Sequence, residues 1–252
     1  MSLPGDRSSE VHDFREILST PVDGQLPLLV GGHAVNLWAL IYQNRIGEEM
    51  DKWLPLTSKD LDLFGTLALL DGMKERFGGK YRLSGPRSPV VGQLVVTLAG
   101  VDRQIDVLRE VFGLRRQELS KESVTLKINT GGESGEIRVL PVVPLLQSKI
   151  ANLASLDQTN RNDFKHVNLM LLIVRESLSE LIDAAESGAL DSRAAIVPLE
   201  QVRKILASPE AMKCKVSQGV DFSGIWPRGL LTGAKDSRLQ NFVKHRLPPP
   251  VA

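Results

Sequence analysis

Residues 28–42 constrain this chain more than any other stretch. Leu28-Leu29-Val30 is a short apolar run, Gly31-Gly32 closes it, and His33-Ala34-Val35-Asn36-Leu37-Trp38-Ala39-Leu40-Ile41-Tyr42 follows. The run reads as a buried strand and the following segment as a helix, with Val35, Trp38, Ile41 and Tyr42 at helical spacing. A strand–glycine–helix turn presents backbone N–H groups at a helix N-terminus, where a phosphate binds readily. Trp38 belongs to the core on this pattern, and His33, at the helix start, is expected at the surface or on phosphate. Further on, Asp60-Leu61-Asp62-Leu63 alternates. In a strand this places both carboxylates on one face and both leucines on the other. A third acid, Asp106, lies inside the apolar run Gln104-Ile105-Asp106-Val107-Leu108. A carboxylate in such a run needs a partner. Two acids on one strand face repel unless a cation lies between them. A phosphate cradle near a carboxylate cluster points to metal-assisted chemistry on a nucleotide.

Other motifs narrow the field. The glycines form neither GxGxxG nor GxxxxGK[ST], and no GxSxG elbow is present. His12, His166 and His245 lack the spacing of zinc ligands. Cys214 is the only cysteine, so neither an internal disulfide nor a CxxC site can form. The chain has 252 residues, 42% hydrophobic and 24% charged, with a formal net charge of +1. This is the composition of a globular protein with no global electrostatic pull toward nucleic acid. The polar start and the absence of a long apolar run predict a cytoplasmic protein with no membrane span. Short basic clusters at Arg115-Arg116, Lys213–Lys215 and Lys244-His245-Arg246 admit two readings, solvated surface or a grip on RNA phosphates.

The pattern changes along the chain. Ser9 is placed to cap a short helix through Ile17. A loop insertion is expected over residues 47–59, and a helix over 66–77 ends at Gly78-Gly79. An edge strand is expected over 81–83. Two hairpins follow: 93–98 with 104–108, and 124–128 with 137–140, the second turning at Gly131-Gly132-Glu133-Ser134-Gly135. After Pro144 the apolar spacing becomes helical, in stripes at Leu145/Leu146/Ile150/Leu153, Phe164/Val167/Leu171/Leu172, Leu178/Leu181/Ile182 and Val202/Ile205/Leu206. The expected fold is therefore α/β (α+β), a mixed-sheet core over residues 1–140 followed by a helical region over 141–252, with a non-helical tail at Pro248-Pro249-Pro250.

Gly31-Gly32, Ser58-Lys59-Asp60-Leu61-Asp62-Leu63 and Ile105-Asp106-Val107 together resemble the signature of the nucleotidyltransferase fold of the DNA polymerase beta superfamily. Within it they are similar to the AbiEii-type bacterial nucleotidyltransferases, toxins of toxin–antitoxin and abortive-infection systems. Leu145-Leu146-Gln147-Ser148-Lys149-Ile150-Ala151-Asn152-Leu153 and Arg161-Asn162-Asp163 resemble the lysine helix and Arg-x-Asp segment that follow the core in that branch. The likeness covers about residues 28–172. The gap between Gly32 and Asp60 is longer than in minimal members, and residues 46–56 are expected to form a loop over the site.

The resemblance implies an enzyme that moves an NMP from an NTP to a hydroxyl of tRNA or protein, with an antitoxin protein as a possible partner. Asp60, Asp62 and Asp106 would be catalytic and would bind Mg²⁺ or Mn²⁺, while Gly31 and Gly32 approach the β- and γ-phosphates. Lys149 would contact the triphosphate or the active-site strand. Arg161 would contact phosphate, and Asp163 would orient the lysine helix. The residues alone also allow an exposed Lys149 and a helix-start ion pair of Arg161 with Asp163. A different class stays open beside the enzyme, namely a non-catalytic nucleotide-binding regulatory partner that keeps the fold.

Overall fold

The computed structural model describes residues 8–121, 123–130 and 133–249. Gly131 and Gly132 of the expected second hairpin turn, and Pro250 of the tail, lie outside them. The fold is mixed α/β, with one seven-stranded sheet and surrounding helices. The chain divides into two compact units, one of residues 1–40 and 53–148 and one of residues 41–52 and 149–252.

The first unit holds the sheet. Its strands are β1 (Leu28–Leu29), β2 (Leu61–Phe64), β3 (Lys80–Leu83), β4 (Val90–Leu98), β5 (Val101–Leu108), β6 (Val124–Thr130) and β7 (Glu133–Val139). Their order is β3-β4-β5-β2-β1-β7-β6. β2 and β5 run parallel, with Leu61 beside Ile105, Asp62 beside Asp106 and Leu63 beside Val107. β1 is antiparallel to β2 and parallel to β7. β4 and β5 form a hairpin whose two turn residues, Ala99 and Gly100, both have positive φ, 48° and 78°. That backbone twist matches the flanking strands. The alternation then sorts the sheet faces. Leu61, Leu63, Leu94, Ile105 and Val107 are fully buried on one face, while Asp62, Gln93, Gln104 and Asp106 alternate onto the other. Each such buried side chain contributes about 1.5–3 kcal/mol of transfer free energy.

Helices of this unit follow local signals. A 3-10 turn over Val11–Phe14 leads into α1 (Arg15–Ser19). Its capping box is formed by Glu10 and Asp13 rather than by Ser9. Ser9 instead pairs with Ser58, because its hydroxyl and backbone both bond that residue. α2 (Gly31–Ile46) begins at the glycines themselves and runs beyond the expected Tyr42. The indole of Trp38 donates to the carbonyl of Leu140 at 2.9 Å. α3 (Leu67–Phe77) stops at Gly78, whose φ of 70° suits glycine. It lies so close to β4 that a side chain on Gly92 would strike Leu70 and the carbonyl of Arg82. α4 (Arg116–Lys121) precedes β6, and α5 (Val142–Ser155) starts two residues before Pro144, which the first turn of a helix tolerates.

The second unit is helical. Two of the expected stripes fall on one long helix, α6 (Asp163–Glu186), whose Val167, Val174, Leu178 and Ile182 are buried. Phe164, assigned to such a stripe, is 43% exposed. α7 (Ser192–Leu206), α8 (Pro209–Gln218), α9 (Arg228–Gly233) and α10 (Ser237–His245) complete it. Asp191, Ser208 and Asp236 cap α7, α8 and α10 through their side chains. The expected loop insertion contains a 3-10 helix over Gly47–Trp53. Residues 41–52 are held to α6 by Tyr42 donating to Glu180 at 2.8 Å, Arg45 with Glu180 at 3.1 Å and Arg175 with Glu49 at 2.6 Å. Among the described residues no helix is long and apolar enough to cross a membrane.

Candidate active site

Backbone register brings Asp62 and Asp106 side by side. They are paired residues on adjacent parallel strands, so their Cα atoms stand about 4.8 Å apart and their side chains leave the same face. Asp60 directly precedes β2 and, two residues from Asp62, is set toward that face as well. All three are partly buried. Lys59 is exposed.

The glycine turn meets this row of acids directly. Gly31 has φ of +68°, the left-handed region that glycine adopts without strain. A Cβ at this position would overlap the Asp62 carboxylate. Val30 also donates its N–H to the Asp62 carbonyl at 3.0 Å. The Asp62 carboxylate therefore lies at the positive end of α2, where unpaired N–H groups and the helix dipole favour an anion. Gly32 continues the same first turn.

Asp106 is held by two neutral donors. Gln104 Nε2 donates to its Oδ1 at 2.9 Å, and Gln93 Nε2, across the strand pair on β4, donates to the same oxygen at 3.2 Å. Burial raises the Asp106 carboxyl above the usual carboxylate range, and the two amide hydrogen bonds oppose that rise. Neither glutamine stood out in the sequence. The available signal was a polar residue at position 93, on the same side of its β-branched strand as the acid it would face. Among the described residues, no three side chains of His, Cys, Asp and Glu gather as a ready metal cage.

His33 is buried, against the expected surface or phosphate position. The hydroxyl of Ser9 donates to the Ser58 carbonyl at 2.9 Å, so it accepts from His33 Nε2–H at 3.1 Å. The ring also packs edge-on against Phe14, with centroids 5.0 Å apart. Burial lowers its pKa to about 4, with Asp13 opposing and Arg103 assisting that shift. Its Nδ1 and the side-chain amide of the buried Asn36, one turn along α2, have no hydrogen-bond partner among the described residues.

The remaining candidates lie in the second unit. Lys149 is buried rather than exposed, at 4%. Its Nζ stands 3.5 Å from Asp163 Oδ1, while Arg161 Nε donates to Asp163 Oδ2 at 2.6 Å. Asp163 opens α6, so the helix dipole adds to its two cations. The geometry is that of the helix-start ion pair, extended by Lys149.

Against known proteins, no family model matches the chain, and no curated protein or solved structure matches it significantly. The motifs and the geometry therefore carry the functional argument.

Proposed function

We propose that the protein is a Mg²⁺-dependent nucleotidyltransferase that moves an NMP from an NTP to a hydroxyl on tRNA or protein, in a toxin–antitoxin or defence setting. The observation that carries this reading is the pairing of Asp62 with Asp106 across parallel strands, with Gly31 packed against the Asp62 carboxylate at the start of α2.

The donor set suits the proposed cation. Magnesium takes hard oxygen ligands, keeps several waters and needs few carboxylates. Asp60, Asp62 and Asp106 would hold it, and it would supply charge neutralisation for the phosphoryl transition state. The chain's own residues do the rest. Gly31 gives the Asp62 carboxylate the space that a side chain of its own would fill, and Gly32 would let phosphate oxygens approach the α2 N-terminus. Gln93 and Gln104 fix the orientation of the Asp106 carboxylate, which in this reading faces the incoming hydroxyl. In the second unit, Asp163 fixes the positions of the Lys149 ammonium and the Arg161 guanidinium.

One observation favours a second reading. Asp106 already accepts two amide hydrogen bonds, and no three acids converge among the described residues. A regulatory protein that binds nucleotide without transfer needs no third ligand. A transfer assay separates the two, with each of the four α-labelled NTPs, Mg²⁺ or Mn²⁺, and total tRNA or cell protein as acceptor. Label moving to a macromolecule with the parent protein, and not with Asp60→Ala/Asp62→Ala, is the expected outcome. Metal-dependent nucleotide binding without transfer to any acceptor supports the regulatory reading. Absence of nucleotide binding overturns both.

A further inference from the structure

The first unit holds a cavity that the transfer reading leaves unused. It encloses about 320 Å³ where the parallel strands β2 and β5 both end. Gly65 donates to the Leu108 carbonyl at 2.8 Å and Arg109 to the Pro89 carbonyl at 2.8 Å, so the ladder carries on past both strands. The alternation of β5 then sets Arg109 on the face of Ile105 and Val107, away from that of Asp62 and Asp106. The start of α3, the end of β3 and Arg116 of α4 also line the cavity.

Three sources of positive charge meet there. The N-cap of α3, Thr66, makes no side-chain cap bond, so the N–H groups of the first turn lack their usual acceptor. Arg109 and Arg116 add two guanidinium groups, and among the described residues no acid lines the cavity. The carbonyls of Pro86 and Val90 accept from Arg109 at 3.1 and 3.4 Å, which uses two of its hydrogens and leaves its charge. Its Nε is buried and has no hydrogen-bond partner among the described residues. A cation beside the positive end of a helix is repelled. A partly buried guanidinium in that place is stabilised by an anion between the two.

The surroundings narrow the anion. Two guanidinium forks, the hydroxyls of Thr66 and Ser84 and the first turn of α3 supply more donors than one carboxylate accepts, and they match the terminal oxygens of a phosphate. The remainder of the lining is apolar. Leu67 and Leu83 are 46% and 52% exposed at its rim, an unusual state for leucines that border a charged site. A volume near the roughly 300 Å³ at which small-molecule sites begin, with few polar groups on a mostly apolar wall, suits a whole small molecule rather than a bare ion.

We propose that this cavity binds a small phosphate monoester with an apolar body, its phosphate held between Arg109, Arg116 and the start of α3. The site stands apart from the acid pair and does not depend on the transferase reading.

The test is isothermal titration calorimetry of the full chain with phenyl phosphate in the presence of EDTA. Wild type binds phenyl phosphate, and inorganic phosphate binds about tenfold more weakly for want of the apolar contacts. Arg116→Gln weakens phenyl phosphate binding about tenfold. Arg109 also holds the Pro86 and Val90 carbonyls, so the second variant is Leu67→Asp instead. It places a negative charge at the half-exposed first position of α3, which the helix dipole favours, so it melts no lower than wild type and yet loses binding. Arg193→Gln, an equal loss of charge in the second unit, binds as wild type. Absence of binding by wild type in EDTA, equal affinity for inorganic phosphate, or undiminished binding by Leu67→Asp would each overturn the proposal. A blank transfer assay beside the expected binding result removes the catalytic reading alone.

Discussion

Asp106 and Asp163 are both carboxylates withdrawn from full solvent exposure, and the protein treats them in opposite ways. Asp163 is 2% exposed and is met by two full positive charges, Lys149 and Arg161, at the start of a helix. Asp106 sits mid-strand beside a second acid and is met by two neutral amides. Amides satisfy the oxygen lone pairs but leave the charge. The first arrangement is complete in itself, whereas the second has a negative charge still to be answered. That difference separates a carboxylate serving the fold from one available to a cation.

The largest test removes a charge from the complete arrangement. Lys149→Met leaves Asp163 buried with the half-exposed Arg161 alone, and should destabilise the protein by about 3–5 kcal/mol in urea unfolding. Asp106→Asn, by contrast, should change stability by less than about 1 kcal/mol, because it removes a desolvated charge. Equal losses for both variants would erase the distinction.

His33 extends the comparison to a buried base with no acid bonded to it. Its pKa of about 4 lies below the ordinary 6.5, so the unfolded chain binds the proton first as pH falls. Stability should be full above pH 6.5 and fall as pH drops toward 4, by up to roughly 3 kcal/mol. The difference in unfolding free energy between wild type and His33→Gln, followed from pH 7 to 4, isolates this slope. A constant difference would mean that the ring is charged or accessible in the folded state.

Smaller effects probe the acid pair itself. Gly31→Ala forces a side chain into a left-handed backbone and against Asp62, which should cost about 1–2 kcal/mol and displace that carboxylate. A Mn²⁺ titration followed by thermal melting then asks whether the leftover charge recruits metal. At ten times the dissociation constant the cation should add about 1.4 kcal/mol to wild type and nothing to Asp62→Asn/Asp106→Asn. Equal stabilisation of both would place the metal elsewhere.

Local patterns made much of the fold legible. The glycines after Leu28-Leu29-Val30, the Asp60–Leu63 alternation, the stop at Gly78 and the paired strands around Gly100 each carry their signal within a few residues. What was illegible depends on distant partners. Nothing near His33 announces Ser9, 24 residues away, so a polar residue at a helix start looks exposed. Lys149 and its link to Asp163 came only through the family resemblance; the residues alone left it exposed, because Asp163 lies beyond a loop. Gln93 gains its place only from a hairpin register that also sets Asp106. The neighbourhood of Asp62 and Asp106 depends on β2 choosing β5 as its parallel partner, a choice no local pattern encodes. Helices α8 to α10 are short, and their clearest marks were caps, Ser208-Pro209 before α8 and Asp236 before α10, rather than stripes.

The two-residue strand β1 has a consequence for how the chain is made. It joins four strands on one side to two on the other, and its partner across the join, β7, begins more than a hundred residues later. During synthesis, β2 to β5 can pair while Leu28 and Leu29 still present one open edge. That edge closes only when residues 138 and 139 have left the ribosome. Late closure over so long a loop is slow, and the unpaired edge is the exposed surface in the meantime. A nascent chain stalled before β7 would therefore be the form that a chaperone, or another copy of the same chain, meets first.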